Sequence, residues 1–181
     1  VLFGILAAVF FAGGLQAAEP SQAKWGSLPL SFERIPGKNR SDAQFVSRGD
    51  GFGLWFKQGE AVLALSGAQN SQIRMKLGGR ARLSVPEPLQ PQQGLSRYFL
   101  GKSADGWEAA PRFGALQYRN VYPGIDLIYH GNQRQLEYDF HLAPGARPAA
   151  IEMEFGGAEA LSINEHGDLV ISTGVNNIRH Q

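Results

Sequence analysis

"VYPGIDLIYHGNQRQLEYDFHL", residues 121–142, decides the fold, because it predicts a β-hairpin without help from the rest of the chain. Apolar and polar residues alternate on both sides of the central "GNQR", where glycine and asparagine accept the backbone angles of tight turns. We expect His130 to pair with Gln135, which places the alternating apolar side chains of both segments on one face. On the other face this register sets Asp126 opposite Asp139, so two carboxylates are expected to face each other. Other registers that keep the apolar residues together set Asp126 opposite Glu137 or His141.

The rest of the chain repeats this alternation in short pieces. The sequence contains 23 glycines and 10 prolines, and the segments between them are too short for typical helices. "QIRMKL" and "IEMEF" each place apolar residues on one face and charged residues on the other. We therefore predict an all-β, antiparallel, sandwich-like domain of many short strands. "VPEPLQPQQG", residues 85–94, is expected to be a loop, because proline lacks the amide donor, and one alternative makes it a boundary between two β lobes.

The start of the chain predicts export. Residues 1–15 are apolar and uncharged, and the small residues Ala17 and Ala18 follow, as in the apolar region and cleavage zone of a secretory signal peptide. We assign residues 1–18 to a signal peptide whose charged start is missing. Residues 19–181 are then a β-rich domain that is truncated at its C-terminal end. The predicted location is secreted or cell-surface, with no membrane attachment after cleavage.

Composition and motifs exclude several classes of function. The 17 basic and 16 acidic residues give a formal charge of +1, and no basic cluster is present to indicate nucleic acid or an anionic membrane as partner. The chain has no cysteine, so a disulfide framework and a thiol nucleophile are both excluded. The sequence also lacks the G-x-S-x-G and H-x-x-x-H patterns of serine hydrolases and helix-borne zinc sites. We predict no cofactor and no catalytic residue.

The facing carboxylates of the hairpin allow three hypotheses. The preferred one is an ordinary polar face, in which water or a neighbouring cation relieves the repulsion between like charges. The second is a calcium site formed by Asp126, Glu137 and Asp139, since calcium favours clustered carboxylate oxygens. The third is a glycosidase that uses Asp126 with Glu137 or Asp139. It ranks last, because its acid and base would need to stand about 5 to 9.5 Å apart across a cleft.

Three aromatic residues are candidates for a ligand surface. Trp55 alternates with apolar neighbours in "GFGLWFK", Trp107 follows the turn "SADG", and Tyr98 precedes that turn. Each is a candidate platform on which a sugar ring stacks. Ordinary packing between strands is the preferred interpretation of all three.

"YRNVYPGIDLIYHGNQRQLEYDFHLAPGARPAAIEMEFGGA", followed by "LSINEHGDLVIST", resembles the N-terminal domain of unknown function that precedes SBBP-type β-propeller repeats in large secreted bacterial proteins. The similarity covers essentially all of the chain after the leader. It implies a secreted or surface-associated protein whose downstream β-propeller repeats are the partner of this domain, and it brings no known activity.

The leading functional hypothesis is therefore a non-catalytic extracellular structural or interaction module that precedes a β-propeller repeat region. The alternative is a module that binds carbohydrate, such as a polysaccharide, or another envelope component. The carboxylate-based glycosidase comes last.

Overall fold

Antiparallel strands account for almost all of the structure, as the alternating segments predict. The computed structural model describes residues 5–12, 29–36, 43–66, 71–82, 84–101, 106–132, 134–174 and 177–180. The strands are β1 (Ile5–Ala12), β2 (Phe32–Arg34), β3 (Phe45–Gly49), β4 (Phe52–Lys57), β5 (Glu60–Leu65), β6 (Ser71–Leu77), β7 (Glu87–Phe99), β8 (Trp107–Tyr122), β9 (Ile125–Asn132), β10 (Gln135–Leu142), β11 (Met153–Gly156), β12 (Ala160–Ile163), β13 (Leu169–Ser172) and β14 (Asn177–His180). A 3₁₀ turn, Pro148–Ala150, lies between β10 and β11. The prediction of an all-β antiparallel domain is confirmed.

The strands form a large curled sheet with a small sheet at one end. Their order is β11-β6-β5-β4-β3-β2-β8-β9-β10-β1-β14-β13-β12, and β7 pairs with β8 beside this path. Strands β12, β13 and β14 make up the small sheet, which joins the large one through β1. Strand β1 comes from the predicted leader and pairs with β10 and β14. The predicted cleavage bonds after Ala17 and Ala18 lie outside the described residues.

The inner face of the curled sheet carries the core. Phe56 on β4 lies at its centre, with its ring 5.3 Å from that of Phe32 and 5.1 Å from that of Tyr129, both in edge-to-face contact. The large buried side chains of the inner face, with Ile171 on β13 and Ile178 on β14, belong to one contiguous cluster. This cluster extends across the large sheet and into the small one.

The curled sheet is closed by contacts between its distant strands. The Tyr122 hydroxyl lies 3.0 Å from the carbonyl oxygen of Gly78 and 2.9 Å from that of Glu152, so it bonds the segments after β6 and before β11. The Tyr138 hydroxyl on β10 lies 3.1 Å from the sulfur of Met153 on β11. These contacts hold the last strand of the large sheet against the hairpin that the sequence identified.

The proline-rich stretch is a strand, so the prediction of a loop was wrong. Pro88 and Pro91 lie within β7, which pairs with β8 among the described residues. A missing amide donor is tolerated there because β7 is an edge strand. The register between the strands shifts between Gln92 and Leu95, and beyond this shift both strands continue to the pair of Phe99 and Trp107. We call residues 95–99 and 107–111 the ribbon.

Candidate functional site

The hairpin of β9 and β10 exists, but its predicted register was wrong by two residues. Asn132 pairs with Gln135, and Asp126 lies opposite His141 rather than Asp139. The turn is therefore two residues long instead of four. A shift of two preserves the alternation, and the predicted apolar face is indeed buried on both strands.

Side-chain bonds explain this shorter turn. The side-chain oxygen of Asn132 accepts a bond from the main-chain N–H of Arg134 at 2.9 Å, and its amide nitrogen lies 3.1 Å from the side-chain oxygen of Gln135. Such asparagine-initiated turns replace main-chain turn bonds. Gly131 adopts a φ of 142°, and a Cβ atom there would lie 2.2 Å from the carbonyl oxygen of Gln135. Only glycine fits at this close approach of the two strands.

The carboxylate of Asp126 binds donors on the neighbouring strand of the sheet. It accepts bonds from the main-chain N–H of Asn120 at 2.6 Å and from the side-chain amide of Gln117 at 2.8 Å. These donors lie on β8, where the pairing with β9 becomes irregular between Tyr118 and Tyr122. Asn120 adopts a positive φ of 49° there. The carboxylate thus holds an irregular segment of backbone in place.

The other two carboxylates of the hairpin meet a histidine. Nε2 of His130 lies 2.9 Å from Asp139 and its Nδ1 lies 3.7 Å from Glu137. Asp126 is bound to β8 instead, so the structure does not bring the three predicted calcium ligands together as a set. Across the described ranges, no group of three or more such side chains is placed to hold a metal ion.

Tyr98 connects the ribbon to the body of the sheet. Its hydroxyl donates a hydrogen bond to the carboxylate of Glu33 on β2, and Ser96 donates another at 2.6 Å. Nη1 of Arg48 on β3 lies 3.2 Å from both the Glu33 carboxylate and the Tyr98 hydroxyl. Burial raises the pKa of Tyr98, and the hydrogen bond with Arg48 opposes that rise. Tyr98 thus attaches the ribbon through its hydroxyl.

Trp107 lies on the opposite, outer face of the ribbon. Its side chain is 55% exposed, and its ring centre lies 5.3 Å from that of Phe99 across the strand pair. Leu95, which is 62% exposed, lies four residues before Phe99 and therefore on the same face of β7. The ribbon therefore presents an apolar stripe on one side and the polar groups that attach it on the other.

Trp55 lies on the outer face of the large sheet, between two depressions. One depression, of about 520 Å³, is lined by Trp55 with Arg48 and Gln72, and the other, of about 280 Å³, by Trp55 and Gln72 with Arg74. The three predicted aromatic residues are thus divided between two places: Tyr98 and Trp107 are on the ribbon, and Trp55 is on the sheet.

Sequence analysis missed the polar residues around these aromatics. Glu33, Arg48 and Gln72 come from three different strands and carry no local motif. A usable signal was Gly53, because a glycine two residues before a tryptophan lies on the same face of a strand and leaves room for the ring. This signal indicates a ring that lies against the sheet.

Comparison with known proteins identifies a family. A family model described as "Domain of unknown function (DUF7948)" matches residues 32–181. No curated protein and no solved structure matches the chain. Within the described ranges, no helix has the length and apolar character needed to cross a membrane.

Proposed function

We propose that this chain, which belongs to the DUF7948 family of domains of unknown function, is an exported, non-catalytic interaction module that precedes an SBBP-type β-propeller repeat region. The uncharged apolar leader supports export. The resemblance of the hairpin region to domains that precede such repeats supports the position in a longer protein. The proposed partner is the downstream repeat region of the same protein.

The apolar stripe of the ribbon is the observation that carries this proposal. Leu95, Phe99 and Trp107 are each more than half exposed and lie on the outer face of a two-stranded element, with Arg97 between the first two. Clustered exposed aromatics are typical of surfaces that bind protein, because they release much apolar area from water on contact. Glu33 and Arg48 hold the opposite face, so the stripe is presented on a fixed element.

The positions of the carboxylates support a non-catalytic role. Asp126 is used to hold irregular backbone, and Asp139 is paired with His130. The lining of the two depressions beside Trp55 includes no carboxylate. The candidate acids of a glycosidase thus line neither depression beside Trp55.

Hydrogen exchange tests the interaction surface. Amide exchange of residues 95–111 is compared between this domain alone and the natural protein that includes the following region. We expect slower exchange of the ribbon in the longer protein, because the repeats cover its outer face. Residues 160–163 of β12, which are also exposed, are the internal control. Equal exchange of the ribbon in both proteins would contradict this surface as the interface.

A reporter fusion tests export separately. Residues 1–24, with a restored Met-Lys start, are fused to a reporter that is active only in the periplasm. We expect an active, cleaved product, and an uncleaved reporter retained in the cytoplasm would refute export. Removal of the leader also takes β1 from between β10 and β14. We therefore expect faster amide exchange in residues 135–142 after cleavage than in the chain that retains the leader.

A further inference from the structure

The outer face of strands β3 to β6 contains a second surface, separate from the apolar face of the ribbon. One row of directly paired residues across these strands is Arg48, Gly53, Ala64 and Gln72. The two middle members are small, so a low floor lies between the two polar side chains, whose strands are three spacings, or about 14 Å, apart. This row lies in the larger depression of about 520 Å³.

The indole of Trp55 is held in a fixed position against the Gly53 part of this floor. A Cβ atom on Gly53 would lie 2.7 Å from one ring carbon of Trp55 and 2.9 Å from another, so the ring lies directly against the glycine. Val46 and Val62 pair with Trp55 on either side and are buried. The ring is half-buried and contributes to both depressions. An aromatic ring that is held in this way is a preorganised stacking surface.

Cationic side chains lie around Trp55. Arg48 lines the larger depression, and Lys57 and Arg74 line the smaller one of about 280 Å³. Neither Lys57 nor Arg74 forms an ion pair with a described residue. Arg48 uses one nitrogen, Nη1, for both Glu33 and Tyr98, so the N–H groups on its other nitrogens remain for a ligand. Guanidinium groups of this kind bind carboxylates through paired N–H bonds.

We propose that this surface binds an acidic glycan, with the face of a hexuronate ring on Trp55 and uronate carboxylates on Arg48 and Arg74. Gln72 lies between the two depressions and supplies an amide donor and acceptor for sugar hydroxyls. The combination of one apolar stacking surface with a few convergent polar groups is typical of small-ligand sites. The site shares Arg48 with the attachment of the ribbon and does not depend on export.

The number of aromatic residues favours a glycan over single-stranded nucleic acid. Nucleic-acid grooves stack successive bases on several aromatic side chains. Here the other aromatic of the lining, Phe52, is 6% exposed, so Trp55 alone offers its ring to a ligand. The formal charge of +1 also provides little general attraction for a polyanion. A uronate chain has a carboxylate on each sugar and apolar ring faces. It therefore matches a site in which one aromatic ring, that of Trp55, lies between separated cations.

Binding of oligogalacturonides tests this proposal in isothermal titration calorimetry and in tryptophan emission. The comparison ligands are the same oligosaccharides with methyl-esterified carboxylates and a single-stranded oligodeoxynucleotide of similar charge. We expect the free acid to bind at least tenfold more tightly than either comparison ligand. No measurable binding of the free acid, or equal binding of the oligonucleotide, would overturn the proposal.

Substitutions test whether the ligand binds on this face of the sheet. Trp55→Ala is expected to weaken binding at least tenfold, whereas Trp107→Ala, which removes the exposed tryptophan of the ribbon, is expected to leave it unchanged. Arg74→Gln changes an exposed side chain, so the fold is retained, and it is expected to reduce the preference for the free acid over the methyl ester. If Arg74→Gln keeps the full preference, or if Trp107→Ala weakens binding as much as Trp55→Ala, the assignment to this face is wrong.

Discussion

Replacement of Asp126 by alanine tests the structural role of its carboxylate. The carboxylate accepts a bond from the main-chain N–H of Asn120 at 2.6 Å and one from Gln117 at 2.8 Å. A hydrogen bond to a charged group contributes about 1.5 to 3 kcal/mol, and water replaces part of this because Asp126 is only half-buried. We expect Asp126→Ala to lower the free energy of unfolding by about 2 kcal/mol. For a domain of this size, the unfolding midpoint then falls by about 4 to 8 °C.

The assay is urea unfolding followed by circular dichroism, with thermal unfolding as the second measurement. Asp126→Asn retains an acceptor oxygen, so we expect roughly half of the loss. Glu137→Ala is the matched control, since its carboxylate lies 3.7 Å from His130 and such a partly exposed pair contributes about 0 to 1 kcal/mol. If Asp126→Ala and Glu137→Ala destabilise the domain equally, the structural role assigned to Asp126 is refuted.

Three further changes test the hairpin and the closure of the sheet. Added calcium is expected to leave the thermal midpoint of the wild type and of Asp139→Asn unchanged relative to chelator, whereas a rise that the variant loses would establish a metal site. Burial lowers the pKa of His180 from 6.5, with Asp168 opposing, so the unfolded chain takes up a proton first as the pH falls. Stability should decrease below about pH 6.5, and urea titrations from pH 8 to 5 should show a smaller decrease for His180→Phe. Tyr122→Phe, which removes a hydroxyl within hydrogen-bond distance of two main-chain carbonyls, should cost about 1 to 2 kcal/mol in urea unfolding, and no loss would show that packing alone closes the sheet.

Alternation predicted the strands and their buried faces but left the hairpin register open. Pairings that differ by two residues bury the same side chains, so apolar burial does not distinguish them. The bonds of the Asn132 side chain to Arg134 and Gln135 favour the shorter turn. These bonds contribute about 1 kcal/mol each, which is small beside the burial of a whole face. The apolar pattern allows both registers, and the observed one places Asp126 opposite His141, so the expected contact between Asp126 and Asp139 does not form.

The ribbon was missed because proline was interpreted without its position in the sheet. Pro88 and Pro91 exclude a central strand, and this inference was sound. An edge strand, however, needs pairing on one side only, and whether a segment lies at an edge depends on the order of all strands. The sequence between β7 and β8 contains no signal of that order. The proline-rich stretch was therefore interpreted as a loop.

Glu33 shows why the candidate surfaces themselves lay beyond local sequence patterns. Its carboxylate joins Arg48, Ser96 and Tyr98, which lie 15, 63 and 65 positions away in the chain. Arg48 in turn lines the depression beside Trp55, so one ion pair supports both the attachment of the ribbon and the proposed glycan site. The Glu33 side chain is 16% exposed and the Arg48 side chain is 59% exposed, so the acid is mostly buried while the base is accessible to solvent. An acidic ligand that meets Arg48 therefore adds a second carboxylate to a guanidinium already positioned by Glu33, and the ribbon stays attached while the site is occupied.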